Sequence, residues 1–348
     1  MRPKPTRRGL APTLSDVAKA AGVSPMTVSR VINQGGSVRQ ATRDRVNAAI
    51  GALNYAPNAA ARVLAGASQT RIALLYGNPS AAYLAEVLVG SLSEASRSDV
   101  QLMLEQCGAG ESAADIVGRI ADGQVDGVIL PPPFCDSPRI LAALRAAGVP
   151  TAVIATGAPN EDSFAVTIDD ARAALEMTNH LLDLGHRRIG FIIGNPNQTA
   201  SAKRLEGYKL ALKQAGLSVE SSLIAQGDFT YLSGLRAAER LLEARPTAIF
   251  ASNDDMAAGA LAAAHRRHLE VPHDLSICGF DDTALATTIS PALTTVRQPV
   301  AEMAQAAVEM LAAAIRRQRA GYGGGGERKL FRHQIVRRQS DAAPPPPA

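Results

Sequence analysis

Two groups of side chains in the 348-residue sequence stand out for what their types could do. The first is compact: Ser24, Pro25, Met26, Thr27, Ser29 and Arg30. An arginine can make paired hydrogen bonds to guanine O6 and N7, hydroxyls suit either base edge, and apolar groups meet a thymine methyl. The second group is scattered: Tyr83, Arg204, Phe229 with Tyr231, Asn253 with Asp254, and Asp281 with Asp282. Arg, Asn and Asp supply donors and acceptors for vicinal hydroxyls, and a ring supplies a wall for C–H groups. Plainer readings stand beside both. Each residue of the first group also suits the surface of a small helical bundle. Asn253 and Asp281 also suit helix or turn capping, and Phe229 also suits a core. Catalysis has little to draw on: there is no Walker A or GxSxG signature, and no His or Cys near Asp281-Asp282 completes a metal set. His186 in a Leu-Gly-His-Arg turn, and His265 and His268 on a basic helix end, read as structural or solvated. No catalytic residue, metal or cofactor is expected.

The first group needs an element to present it, and the surrounding sequence provides one. Thr13-Leu14-Ser15-Asp16 fits a capping-box helix start. Leu14, Val17, Ala18 and Ala21 then line one face, and Gly22 ends the helix. Ser24 caps a second helix with Pro25 at its first position, and Val28 and Ile32 point inward. Gln34-Gly35-Gly36 break it. Val46, Ile50 and Leu53 make the inner stripe of a third helix, roughly 40–53. Two short helices joined by a tight glycine turn and braced by a third make a helix-turn-helix, whose second helix enters the major groove. Charge agrees with this reading. Residues 1–66 hold ten Lys and Arg against two acids, a net of +8; the whole chain is +4, which leaves −4 for the rest. A basic head on a mildly acidic body points to a polyanion partner bound by the head; a solvated basic tail is the plain alternative.

Pro57 stops the third helix, Asn58 can cap a further helix of about two turns, and Gly66 ends it. So short a helix is marginal alone in water. Ala61 and Leu64 share a face that suits a minor groove, with Leu64 as a wedge between base pairs. A simple alanine-rich linker is the competing reading.

The run TLSDVAKAAGVSPMTVSRVIN, followed after a spacer by LNYAPNAAARVLAG, closely resembles the DNA-binding head and hinge of the lac repressor family (LacI/GalR). The resemblance covers about 55 residues in order, spacing and identity. It implies a dimer that sets two heads in successive major grooves of a pseudo-palindromic double-stranded operator, with paired hinge helices opening the central minor groove. The DNA-contacting set it implies is Thr13, Ser24, Pro25, Met26, Thr27, Ser29, Arg30, Asn33, Arg39, Asn58, Ala61 and Leu64. Two departures matter. Arg39 stands where the family often has a serine cap for the third helix. Pro25 offers no side-chain hydrogen bond, so the operator of a relative cannot be carried over.

From residue 71 the periodicity changes. Apolar runs (RIALLYG, VQLML, VDGVILP, VPTAVIA) alternate with helices near 82–97, 111–122 and 138–147. A second series (RRIGFIIG, SLIAQ, PTAIFAS, LSICGF) carries helices near 170–184, 199–215, 231–244 and 253–268. Such alternation means parallel sheets with helices on both faces, and ligands bind beyond the carboxyl ends of the strands. That rule selects Tyr83, Arg204, Phe229 with Tyr231, Asn253 with Asp254, and Asp281 with Asp282.

LGHRRIGFIIG, SAKRLEGY, ASNDDMAAGAL, LSICGFDDT and PALTTVRQP resemble the effector-binding core of the same family, itself similar to periplasmic sugar-binding proteins. The resemblance implies that Arg204, Asn253 and Asp281 contact the effector and that Phe229 faces its ring, with Tyr83 less firmly placed. It also implies three chain crossings between lobes, set here near 165–168, 296–299 and 327–329. The expected plan is a disordered basic N-terminus (1–12), an all-α helix-turn-helix head (13–57), a hinge helix (58–66) and a two-lobed α/β periplasmic-binding-protein-like body (70–340). The lobes are about 70–166 with 299–327, and about 168–296 with 329–340, and the tail 341–348 is expected to be disordered.

Composition fits a cytoplasmic protein: 46% hydrophobic and 20% charged, with mean hydropathy +0.01. Three scattered cysteines (Cys107, Cys135, Cys278) argue against disulfides. No apolar run reaches the roughly 18 residues of a membrane span, and no apolar stretch follows the basic N-terminus as a signal peptide requires. The reading is a nucleoid-associated, homodimeric transcriptional repressor controlled by a small molecule, expected to be a sugar or sugar derivative. The alternative is a solute-binding protein of sugar transport with no DNA role.

Overall fold

The structure, a computed structural model, describes residues 12–32, 38–53, 55, 69–108, 111–159, 163–322 and 325–345. Asn33, Asn58, Ala61 and Leu64, the hinge helix 58–66, most of the basic N-terminus, Gly323, Gly324 and residues 346–348 lie outside them. The chain divides into two compact units after Gln69.

The head holds α1 (Leu14–Ala21), α2 (Pro25–Ile32) and α3 (Gln40–Ala52). Thr13 and Asp16 close a reciprocal cap: the Thr13 hydroxyl accepts from the Asp16 N–H, and the Asp16 carboxylate accepts from the Thr13 N–H at 2.8 Å. Gly22 takes φ 65°, which a side chain rarely adopts, and turns the chain. The Val23 N–H then reaches back to the Ala18 carbonyl at 3.0 Å. Ser24 Oγ accepts from the Thr27 N–H at 3.2 Å and so caps α2. Val17, Val28 and Val46 are fully buried where the three helices meet; burying each is worth about 1.5–3 kcal/mol over exposure. The inner stripe differs slightly from expectation. Val31 and Ala49 are buried, while Ile32 and Ile50 are half-buried. Positions three and four residues on straddle the helix axis, and packing chose the nearer one. Tyr55 closes the core.

The body holds two six-stranded sheets. The first comprises β1 (Thr70–Tyr76), α4 (Ala81–Arg97), β2 (Val100–Gln106), α5 (Ala113–Asp122), β3 (Gly127–Leu130), α6 (Pro138–Ala146), β4 (Thr151–Ile154) and β5 (Phe164–Ile168). The second comprises α7 (Asp170–Asp183), β6 (Ile189–Ile193), α8 (Thr199–Gln214), β7 (Ile224–Gln226), α9 (Tyr231–Glu243), β8 (Ala248–Ala251), α10 (Asp254–Arg266), β9 (Ser276–Asp281), α11 (Leu285–Thr288) and β10 (Thr294–Arg297). The chain returns through α12 (Val300–Arg319) and β11 (Arg328–Phe331) to the first sheet, and ends in the second with β12 (Gln334–Val336). Strand orders are β11-β5-β4-β3-β1-β2 and β12-β10-β9-β8-β6-β7. All pairs are parallel except β10 with β12. Central strands such as β3 and β8 are buried along their whole length because helices cover both faces.

Several expectations need correction. β5, β10 and α12 are not among the elements read from the sequence. β5 runs to Ile168 within the first sheet, so the first crossing follows Ile168. Residues 329–331 belong to the first lobe, not the second, because Arg328–Phe331 pair in parallel with Ala165–Ile168 and satisfy that strand's open edge. The third crossing therefore lies between Phe331 and Gln334. The tail is not loose from residue 341. Asp341 accepts from His180 Nε2 at 2.7 Å and from the Thr294 hydroxyl, and the Ala342 carbonyl meets His186 Nε2 at 2.8 Å. Burial lowers the His186 pKa, consistent with a structural imidazole. No described helix is long and apolar enough to cross a membrane.

Candidate functional site

In the head, α2 offers an outward row. Ser24, Pro25 and Arg30 are exposed, Met26 is 66% exposed, and Thr27 and Ser29 are half-buried. The Thr27 hydroxyl lies 2.9 Å from Ser24 Oγ, so these two act as a pair at the start of the helix. Thr13 is exposed but its hydroxyl is engaged by Asp16 at 2.6 Å. Arg39 precedes α3 without a side-chain cap, as its departure from serine foretells, and is exposed.

In the body, a small cavity lies where the two sheets' carboxyl ends face one another. Tyr83, Arg204, Phe229, Asn253 and Asp281 all line it. Tyr231, Asp254 and Asp282 do not. Tyr231 is half exposed on α9. Asp254 is bonded to the Thr283 N–H and the Thr295 hydroxyl. Asp282 pairs with Arg297 and Arg338.

Arg204, in the second turn of α8, is buried. Its Nε donates to Asp170 at 2.8 Å, one Nη donates to the Ser252 carbonyl, and its guanidinium stacks 3.6 Å from the Phe280 ring centroid. Asp281 ends β9 with φ 105° and takes a 2.6 Å bond from Gln298 Nε2. Arg204 lies 3.8 Å from it. Burial pushes the Asp281 carboxyl up to about 7 against the pull of that guanidinium. Burial also raises Asp170, again opposed by Arg204, and raises Asp254, with Asp281 adding to the effect. Asn253 does cap α10, its Oδ1 accepting from the Met256 N–H at 2.9 Å, and its amide donates to the Phe229 carbonyl at 3.0 Å. Capping and lining are thus one role. Phe229 sits at φ 72°, and its ring lies over Gly194, where any Cβ would overlap it. Left-handed backbone at Phe229, Asp281 and Asp282 gathers beside this cavity, as strain does at working sites.

Two buried polar atoms there have no partner: the Tyr83 hydroxyl and Gln298 Oε1. Such groups are costly unless something binds them. Two contacts bridge the lobes at the rim. Ser80 Oγ donates to Asp255 at 2.6 Å, and Asp136 accepts from the Thr199 N–H and hydroxyl, each at 2.8 Å. Asn78, Ser80, Gln198 and Gln298 also line the cavity and escaped the sequence reading. The end-of-strand rule reaches Asn78 and Gln298 once β10 is known; Ser80 and Gln198 begin helices and carry no such signal.

A model of the bacterial regulatory proteins of the lacI family matches residues 13–58, and one of a periplasmic binding protein-like domain matches residues 178–340. Catabolite control protein A of Priestia megaterium is 36% identical over 303 residues, 86% of this chain and 91% of that protein. The chain belongs to the lac repressor family. It is a DNA-binding transcriptional regulator, which disfavours the transport alternative, and its relatives are regulators, not enzymes. Two solved structures of lac repressor family regulators align over nearly the whole chain. The CelR–cellobiose complex has a TM-score of 0.72 and 32% identity over 94% of this chain and 99% of that one. The lac repressor dimer bound to operator and an anti-inducer has a TM-score of 0.73 and 26% identity over 96% of this chain and 100% of that one.

Proposed function

We propose that this regulator is a homodimeric repressor in the cytoplasm that reads a pseudo-palindromic operator with α2 and senses a sugar or sugar derivative in the cleft. The observation that carries the sensing half is the cavity itself: Arg204 and Asp281 facing it, Phe229 as a wall, and the Tyr83 hydroxyl and Gln298 Oε1 awaiting partners. A polyhydroxylated molecule supplies donors and acceptors at that density. Asp281→Ala leaves DNA binding intact and the protein blind to its effector. Arg30, Met26 and Pro25 are the base-reading residues on α2, with Arg39 set to meet phosphate. Asn33, Asn58, Ala61 and Leu64 keep the contacts the family resemblance implies, Leu64 as the minor-groove wedge.

Support for the dimer comes from an apolar strip on the first lobe. Val89 (62% exposed) and Leu92 (53%) lie on α4, and Leu104 (49%) lies on edge strand β2. Leu104 shares the parity of Val100 and Leu102, and hence the sheet face that α4 covers. The lac repressor neighbour was solved as a dimer on operator, and CelR was solved with cellobiose. The deciding experiment is a thermal-shift screen of the full chain against sugars and nucleosides, followed by binding to genomic fragments with and without the hit. A compound that raises Tm and alters DNA affinity is the expected result. A compound that raises Tm but leaves every DNA complex unchanged removes the sensing role.

A further inference from the structure

Resting on the reading of the cleft as a sugar site, we infer that this cleft takes an uncharged sugar and rejects its phosphorylated or acidic counterparts. Three independent features of the cavity point this way.

The first is the balance of charge. Arg204 and Asp281 are the charged residues lining the cavity. Arg204 is already spoken for: Asp170 holds its Nε, and Asp281 lies on its other side. Asp254 and Asp255 add two more carboxyl groups near Asp281. Among the described residues no second cation lines the cavity, so a phosphate would meet only a guanidinium that Asp170 and Asp281 already engage.

The second is the state of the helix ends. Anions bind readily to helix N-termini, where backbone N–H groups lack partners. Three helices start at this cleft, and each start is capped from within the protein. Ser80 Oγ accepts from the Tyr83 N–H on α4 at 3.3 Å. Asp136 accepts from the Thr199 N–H on α8, and Asn253 accepts from the Met256 N–H on α10. The α8 cap is itself a carboxylate, and α10 carries Asp254 and Asp255 in its first turn.

The third is the polarity of what remains unpaired. Gln298 gives its amide to Asp281 and presents Oε1, an acceptor that only a donor can satisfy. A sugar hydroxyl supplies such a donor. The Tyr83 hydroxyl, which lines the same cavity, is also unpaired.

The test is calorimetry and thermal shift on the full chain with matched compounds: glucose, glucose 6-phosphate and glucuronate; ribose and ribose 5-phosphate; cellobiose and cellobionate. At least one neutral sugar binds, and its anionic partners bind at least 100-fold more weakly at pH 7.5. An anionic member that binds as tightly as its neutral partner, or more tightly, overturns the charge inference and leaves the sugar-site reading standing. No binding by any member at 10 mM overturns both.

Discussion

Arg204 is fixed on three sides, by the Asp170 carboxylate, the Ser252 carbonyl and the Phe280 ring. A guanidinium so held keeps its remaining N–H groups in one orientation, and a ligand meets them without ordering the side chain first. Asp281 is the more adjustable partner. Arg204, Gln298, Asp170, Asp254 and Asp255 surround it, and its pKa of about 7 lies above the ordinary 3.8. The native state therefore holds that proton more firmly than the unfolded chain does. The resulting stability is present below pH 3.8 and is lost as pH rises through about 7. A ligand hydroxyl that donates to Asp281 favours the ionised form, so effector affinity rises between pH 6 and 8, by up to about tenfold per pH unit below the pKa. Calorimetry at the two pH values checks this, and a flat profile would remove Asp281 from direct contact. In the head, Arg30→Ala is expected to cost about 1–3 kcal/mol of base discrimination while effector affinity stays unchanged. Loss of both would contradict the separation of the two sites.

The head's helices were legible because their punctuation is local. Thr13 with Asp16, Gly22, and Ser24 with Pro25 each act within one turn of chain, and each is found in the role its type dictates. Thr13→Ala removes one cap and costs about 0.5–2 kcal/mol. Weaker DNA binding with a lower melting transition of the head is the expected result, and unchanged effector binding separates this effect from a global one. The body's missing elements have a different cause. α12 buries Val300, Met303, Ala304, Ala306, Ala307, Val308, Leu311 and Ala312, too broad a face to show a clean helical stripe. β5 and β10 are five and four residues long and sit at the crossings, where a connector and a strand look alike.

At the scale of the whole molecule, the proposed dimer makes operator affinity depend on two heads acting together. Counterion release makes this binding steeply salt dependent, with a slope of about −0.9 per phosphate contacted. In the proposed dimer, Leu92→Glu sets like charges across the two-fold contact. It is expected to yield monomers by light scattering and to lower operator affinity by at least about 100-fold, as loss of avidity does, with sugar binding per chain preserved. A Leu92→Glu protein that remains dimeric would move the interface elsewhere. The sequence by itself determined the head and the alternation that makes two parallel sheets, because caps and periodicity are short-range signals; strand ends offered eight site residues, and the family resemblance narrowed them to Tyr83, Arg204, Phe229, Asn253 and Asp281. Only the tertiary structure decided what surrounds them. Asp170 behind Arg204, Gln298 on Asp281, Asp136 capping α8 across the cleft, and Arg328–Phe331 completing the first sheet all join segments far apart in the chain. Such partners are chosen by packing and by the need to satisfy buried polar groups, and no local pattern of residues records that choice.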